Sequence, residues 1–331
     1  MKVPLYLCPN HKCPNGRLIV GPQGLTCPQC PPGATFVPFA EGTSTPIFAS
    51  QTENQNEYSS GNAAQIHDNA LKWLFATFKT SEEDLRRSLT KRLNLRKGSK
   101  VLITGAGAGN DIPYIIEALD GEGEIYAQDF AKEMLLLGEK RIRERFSGSE
   151  IDLFFSVSDA INLPFEDGFF DAAFHFGGIN LFGDKKKGIA EMYRVVREHG
   201  RVLVGDEGVA PWLRSTEEAK ILINNTALYG FEAPLDDLPP TAREVELSWE
   251  LSNCFYVVTM TVCYSPISID ISVPHVGRRG GSMRTRYFGQ LEGVDPTLRD
   301  AVYSRAERLG VSRVELIESI LRSGLTAKES S

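Results

Sequence analysis

Residues 101–111 read VLITGAGAGND, an apolar run that breaks into glycines at 105, 107 and 109. Glycine weakens the interior of a helix or strand by roughly 0.5–1 kcal/mol. Three at alternate positions therefore predict a turn in which bare backbone has a purpose. The stretch before them, Val101-Leu102-Ile103-Thr104, is branched and apolar, as in a strand buried on both faces. The stretch after, residues 111–119, reads as a helix with Pro113 in its first turn. Strand, glycine turn and helix in that order predict an open parallel α/β sheet that offers its backbone to a ligand.

The next segment, GEIYAQDF, reads as a second short strand ending at Asp129, twenty residues past Gly109. A carboxylate there can accept hydrogen bonds from both ribose hydroxyls of an adenosine, a feature shared by dinucleotide enzymes. The glycine spacing separates the cases. A G-x-G-x-x-G fingerprint starting at Gly105 needs glycine or alanine at 110, where the chain has Asn110. The observed G-x-G-x-G is weak evidence for a pyrophosphate site.

Residues 155–208 supply ordered motifs: Asp159-Ala160, then Leu163-Pro164-Phe165, then Phe170-Asp171 opening a strand. A helix ending in Tyr-Arg-Val-Val and a strand beginning Gly200-Arg-Val-Leu-Val follow. This set resembles class I S-adenosylmethionine-dependent methyltransferases, especially the branch of ubiquinone and menaquinone biosynthesis enzymes (methyltransferase type 11 domains), over roughly residues 63–264. The resemblance implies a Rossmann-like seven-stranded sheet closed by a C-terminal antiparallel hairpin. It also implies S-adenosylmethionine as cofactor, bound by Gly105, Ala106, Gly107, Gly109, Asp129, Phe130, Asp159, Ala160 and Phe176. Asp159 would accept the adenine amino hydrogen. His175, with Asn180 behind it, is the best-placed catalytic base by resemblance; local hydrogen bonding by His175 is the competing reading. His67 would line the pocket or pack on its helix face. One departure stands out: the family's usual acid two residues before the first glycine is Ile103 here. Either the cofactor's amino-acid end is contacted elsewhere, through Thr104 or Asp111, or the site is altered.

Periodicity fits this plan. In helix 184–198, Ile189, Met192, Tyr193 and Val196 share one stripe, and Lys185 to Lys187 form a solvated opening turn. Val245, Leu247, Trp249 and Leu251 alternate with Glu244, Glu246, Ser248 and Glu250, predicting a half-buried strand. Ser252-Asn253 would turn it into a second strand, 254–264, whose Cys254 and Cys263 are small core residues. The acceptor site beyond the strand ends would be roofed by helix 63–79, with Trp73, Leu74, Phe75 and Phe78. An insertion at 208–240, with Trp212, Leu213, Tyr229 and Phe231, would complete the roof. Such aromatics suggest a small apolar or aromatic substrate.

At the N-terminus, Cys8, Cys13, Cys27 and Cys30 are spaced as in a two-knuckle zinc ribbon, giving a zinc-ribbon-like segment over 1–48 with structural Zn²⁺. His11 is the alternative to Cys13 as fourth ligand; thiolate is the more usual choice. The segment also resembles the zinc segments of some ribosomal RNA guanine methyltransferases. Residues 51–62 (QTENQNEYSSGN) read as a linker.

Residues 280–326 resemble a ribbon-helix-helix module. Arg284, Arg286, Phe288 and Gln290 would share one strand face and Met283, Thr285, Tyr287 and Leu291 the other. Leu298, Val302 and Leu309 would face inward on a first helix, and Leu316, Ile320 and Leu321 would lie on a second. A homodimerisation or docking role is expected, with DNA binding the alternative.

From Arg278 onward, ten Lys or Arg oppose seven Asp or Glu, whereas the whole chain carries −7. The body is therefore acidic, which opposes broad contact with a phosphate backbone. With no long apolar run and no secretory signal, a cytoplasmic protein without a membrane partner is expected. The leading function is methyl transfer to a small molecule. The alternatives are an RNA methyltransferase using the ribbon as its grip, and a ligand-sensing DNA-binding regulator.

Overall fold

The computed structural model describes residues 4–10, 13, 16–31, 33–48, 63–276, 281–288, 291 and 294–328. It comprises two units, Met1–Pro266 and Ile267–Ser331.

The first unit is organised by a seven-stranded sheet. Its strands are β4 (Lys100–Thr104), β5 (Glu124–Asp129), β6 (Asp152–Val157), β7 (Phe170–Phe176), β8 (Val196–Glu207), β9 (Arg243–Glu250) and β10 (Phe255–Thr261), in the order β6-β5-β4-β7-β8-β10-β9. The first five are parallel; β10 runs antiparallel to both β8 and β9. Order reverses at β4, which puts a crevice at the carboxyl ends of β4 and β7. The expected α/β class and the closing hairpin are both present.

The central strands carry apolar side chains on both faces because both are covered. Val101, Leu102 and Ile103 are buried, as are all residues of β10. Helices α1 (Ala63–Thr77), α2 (Glu82–Lys91), α3 (Ile112–Ala118), α4 (Lys132–Arg145) and α5 (Lys185–Val195) flank the sheet, and α6 (Glu217–Asn225) lies in the insertion. Helix α5 buries Ile189, Met192 and Tyr193, as its stripe predicts, with Asp184 capping its start. The edge strand differs from expectation. Val245 and Leu247 are about 40% exposed, because β9 ends the sheet and only β10 flanks it. Leu251, Ser252 and Asn253 turn the hairpin in left-handed conformation.

The N-terminal segment forms its own small sheet, β1 (Ile19–Val20), β2 (Gly24–Thr26) and β3 (Phe36–Pro38). It is stapled to the large one. Ile47 bridges Val157 in parallel, Phe48 donates to the Val157 carbonyl at 2.8 Å, and Leu7 donates to the Pro164 carbonyl at 2.8 Å. The Tyr6 ring, 2% exposed, packs among Phe48, Tyr126 and Phe165. Burying one such ring stabilises by about 2 kcal/mol.

In the second unit, α8 (Pro296–Leu309) begins at Asp295, whose carboxylate accepts the Thr297 amide, and stops at left-handed Gly310. Ser312 and Glu315 form a reciprocal capping box for α9 (Arg313–Lys328). These helices match expectation; the strand does not. Met283–Phe288 is a short helix, α7, started by Ser282 accepting the Thr285 amide. A ribbon needs a second chain to pair its backbone, and a helix satisfies those groups locally. Gln290 lies outside the described residues. Leu298, Leu309, Ile320 and Leu321 are exposed, while Ala306 and Leu316 are buried. No helix among the described residues is long and apolar enough to cross a membrane.

Candidate active site

Gly105, Gly107 and Gly109 have φ of +62°, +48° and +81°, values that side chains rarely adopt. The turn they make hangs from β5, with the Ala106 amide donating to the Gln128 carbonyl at 2.9 Å. A Cβ at Gly107 would meet nothing, so that backbone face is open. A Cβ at Gly105 would stand 2.8 Å from His175 Cε1. From the other side α4 presses in: a Cβ on Gly138 would lie 2.7 Å from the Gly107 carbonyl. Gly138, a glycine inside a helix, packs the turn from α4 and is not among the positions expected from the sequence.

Asp129 ends β5 beside this turn. Its Oδ2 accepts the Gly107 amide and its Oδ1 the Ala131 amide, both at 2.7 Å. Burial raises its pKa, and these amide bonds offset part of the rise. Phe130 follows, half-buried. At the end of β6, Asp159 Oδ1 accepts the Ile161 amide at 3.0 Å, beside buried Ala160. Gln128 Oε1 and Ser158 Oγ are buried without a hydrogen-bond partner among the described residues. Neither is marked by local pattern in the sequence.

His175, near the end of β7, lies beneath the turn. The ring is fully buried, Nδ1 is 3.0 Å from the Thr104 hydroxyl, and Nε2 has no partner among the described residues. Burial holds its pKa down at about 4, against a smaller upward pull from Asp206. The imidazole is therefore neutral at ordinary pH, wedged under Gly105. Phe176, next along, is half-buried with its ring 5.9 Å from Phe255. Asn180 lies beyond, its amide donating to Asp206 at 2.6 Å.

Ile103 is 1% exposed and belongs to the core. Neither expected substitute for its missing carboxylate is idle. Thr104 bonds His175, and Asp111 is paired with buried Arg86, which also binds Glu82 at 2.8 Å. His67 sits on α1 in the same charged neighbourhood, its pKa lowered by burial. Of the anticipated roof residues, Phe75, Phe78 and Tyr229 are buried and Leu74 and Leu213 pack against the core, whereas Trp73, Trp212 and Phe231 are exposed.

In the head, the Sγ atoms of Cys8, Cys13, Cys27 and Cys30 all lie within 4.8 Å of one another. Cys8 to Cys30 is 3.7 Å and Cys13 to Cys27 is 3.6 Å. Tetrahedral thiolates around zinc, at about 2.3 Å from the metal, would be about 3.8 Å apart. A Cβ on Gly16 would enter this cluster, 2.4 Å from Cys13 Sγ. Burial and the neighbouring thiols push Cys13 up to about 12. His11 lies outside the described residues.

Residues 78–210 match the model of the ubiE/COQ5 methyltransferase family. A demethylmenaquinone methyltransferase of Geobacillus sp. (strain WCH70) is 35% identical over 118 residues, 36% of this chain and 49% of that protein. A ubiquinone/menaquinone biosynthesis C-methyltransferase of Citrifermentans bemidjiense is 32% identical over 119 residues, 36% of this chain and 50% of that protein. The chain thus spans about half the length of the curated relatives it matches. Among solved structures, Haemonchus contortus phosphoethanolamine N-methyltransferase 2 with S-adenosyl-L-methionine is similar at 14% identity and TM-score 0.49, over 70% of this chain and 63% of that one. Residues 78–210 are thus similar to the ubiE/COQ5 methyltransferase family, and they include the five parallel strands of the sheet.

Proposed function

We propose that the protein is an S-adenosylmethionine-dependent methyltransferase acting on a small apolar or aromatic molecule, with a structural zinc site in its head. The observation that carries this reading is the open glycine turn, whose Gly107 amide is held by Asp129.

Bound S-adenosylmethionine supplies an electrophilic methyl group on a positively charged sulfur. The protein's task is then to position an acceptor in line and exclude water. Gly107 gives the cofactor close approach to backbone. Asp129 retains free lone pairs for the ribose hydroxyls beyond the two amides it accepts. Asp159, Ala160 and the unpaired Gln128 and Ser158 oxygens form a polar end suited to adenine. Phe130 and Phe176 would bound the cofactor on either side. We assign His175 to holding the turn from below, because its buried neutral ring has no open approach. Phe78, Phe176, Tyr229 and Phe255 form an aromatic cluster that favours an apolar acceptor.

The four thiolates fit Zn²⁺ in a closed shell, Cys13 completing the set, which suits folding rather than catalysis. The head's staples to β6 and to residues 163–166 support a fixed scaffold over a mobile substrate grip. The 283–328 segment would pair or dock chains.

Calorimetry of the purified chain with S-adenosylmethionine tests the central claim; micromolar binding is expected, and no binding would remove it. Metal analysis should find one zinc per chain. Truncation after residue 266 should lower the hydrodynamic size class; an unchanged class would remove the pairing role.

A further inference from the structure

Two acids stand side by side at the carboxyl end of β8, and nothing above gives them a task. Asp206 is fully buried with both oxygens engaged: Oδ2 accepts the Asn180 amide at 2.6 Å and Oδ1 the Glu207 amide at 2.9 Å. Asn180 is clamped in turn, its Nδ2 donating to the Glu207 carbonyl at 2.7 Å and its Oδ1 accepting the Tyr256 hydroxyl at 2.8 Å. Asp206 is thus an anchor. Glu207 differs: it is half-buried, and its carboxyl hydrogen-bonds Asp206 and lies within electrostatic reach of Tyr229 and Tyr256. Tyr229 belongs to the aromatic cluster, 6.2 Å from Phe78 and 5.9 Å from Phe255.

The titratable groups around the pair are His175 on β7, Tyr256 on β10 and Tyr229 in the 227–230 turn. Asp237 and Cys254 lie beyond the tyrosines. Neither acid has an ion-pair partner among the described residues. A carboxyl so placed has no cation to keep it ionised until one arrives.

We propose that Glu207 is the group that takes the acceptor's proton, and that it becomes able to do so when the cationic cofactor fills the neighbouring crevice. This rests on the methyltransferase reading. The acceptor's proton passes to the Glu207 carboxylate while the acceptor–methyl bond forms and the carbon–sulfur electron pair returns to sulfur. The pair's charge rises by one as the sulfonium's falls by one.

Burial first, then the hydrogen bond and charge of Asp206, push Glu207 up to about 9. Strand β8 lies two places from β4, on the order of 10 Å at the usual strand spacing. A unit positive charge at that distance, through an effective dielectric constant of about 20, favours the carboxylate by roughly one pK unit. At pH 8.5 that ionises Glu207 by about half a proton per cofactor bound. S-adenosylhomocysteine carries the same adenosine and amino-acid groups on a neutral sulfur. Protons linked to Asp129 or to the ligand's own amino group are common to the parent and Glu207→Gln, and cancel between the two proteins.

The test is titration calorimetry of the full chain at pH 8.5 in two buffers of different ionisation heat, with each ligand in turn. The difference in protons released between S-adenosylmethionine and S-adenosylhomocysteine is expected to be about half a proton larger in the parent than in Glu207→Gln. Both ligands should still bind the variant within about threefold of the parent. The same difference in the two proteins would overturn the proposal. Absence of heat with either ligand is a separate result, which removes the methyltransferase reading and this inference with it.

Discussion

The carboxyl ends of β4 and β8 lie two strands apart in one sheet and are built on opposite plans. At β4 the surface is backbone: three glycines in left-handed conformation, with His175 filling the space beneath. At β8 it is side chains: Asp206, Glu207, Asn180 and Tyr256 in one hydrogen-bonded set, walled by Tyr229 and Phe255. A backbone surface accepts one shape of ligand and tolerates little change. A side-chain surface can be altered residue by residue without moving the chain.

Gly105→Val tests the rigid half hardest. The new Cβ meets the His175 ring at 2.8 Å, at φ +62°. Overpacking and left-handed strain together should cost about 4 kcal/mol. Urea denaturation should report that loss, and calorimetry should find cofactor binding below detection. Normal binding by this variant would mean that the turn adapts, and the contrast with β8 would fail.

His175 links the two ends, with its pKa held at about 4 against an unperturbed 6.5. The folded state resists a proton that the unfolded state accepts. Stability is thus fully present above pH 6.5 and declines as pH falls toward 4, by about 3 kcal/mol from this residue. Urea titrations at pH 7.5, 5.5 and 4.5 on the parent and on His175→Gln should show the steeper acid loss only in the parent. Parallel curves would place the imidazole in a wetter site than the structure gives it.

Asp129→Asn keeps the shape and removes the charge. One side-chain atom can no longer accept from Gly107 or Ala131, and the ribose contact weakens. A charged hydrogen bond contributes about 2 kcal/mol, so the cofactor should bind about thirtyfold more weakly, as read by calorimetry. Unchanged affinity would show that Asp129 serves only to cap the turn.

These two ends also differ in how far they were legible. The glycine turn and Asp129 follow from local pattern, because a glycine at positive φ and an acid at a strand end act on their own neighbours. The Cys8, Cys13, Cys27 and Cys30 cluster was legible for the same reason: short spacings bring four sulfurs together. The Asp206–Glu207 pair was not, since it depends on Asn180 and Tyr256, 26 residues before Asp206 in sequence and 76 after Asn180, meeting only in the folded sheet. Gln128 and Ser158 were hidden likewise by tertiary burial. The Met283–Phe288 strand failed because alternation describes a ribbon that one chain cannot pair, and a six-residue helix uses the same residues.

The smallest expected effect separates real from apparent walls on the acceptor side. Trp73 and Phe78 both lie in the segment read as a roof, yet Trp73 is 51% exposed while Phe78 is 7% exposed and packs edge-on to Phe255 at 6.1 Å. Helix α1 turns only one stripe inward, and position 73 falls off it. Trp73→Ser should therefore leave stability and cofactor affinity within about 0.5 kcal/mol of the parent, as surface changes do. Phe78→Leu should lower stability by about 1 kcal/mol through lost ring contacts and raise the acceptor KM with little change in cofactor affinity. Cofactor affinity that fell with Phe78 as far as with Asp129 would join the two strand ends into one surface, and the division between them would have to be abandoned.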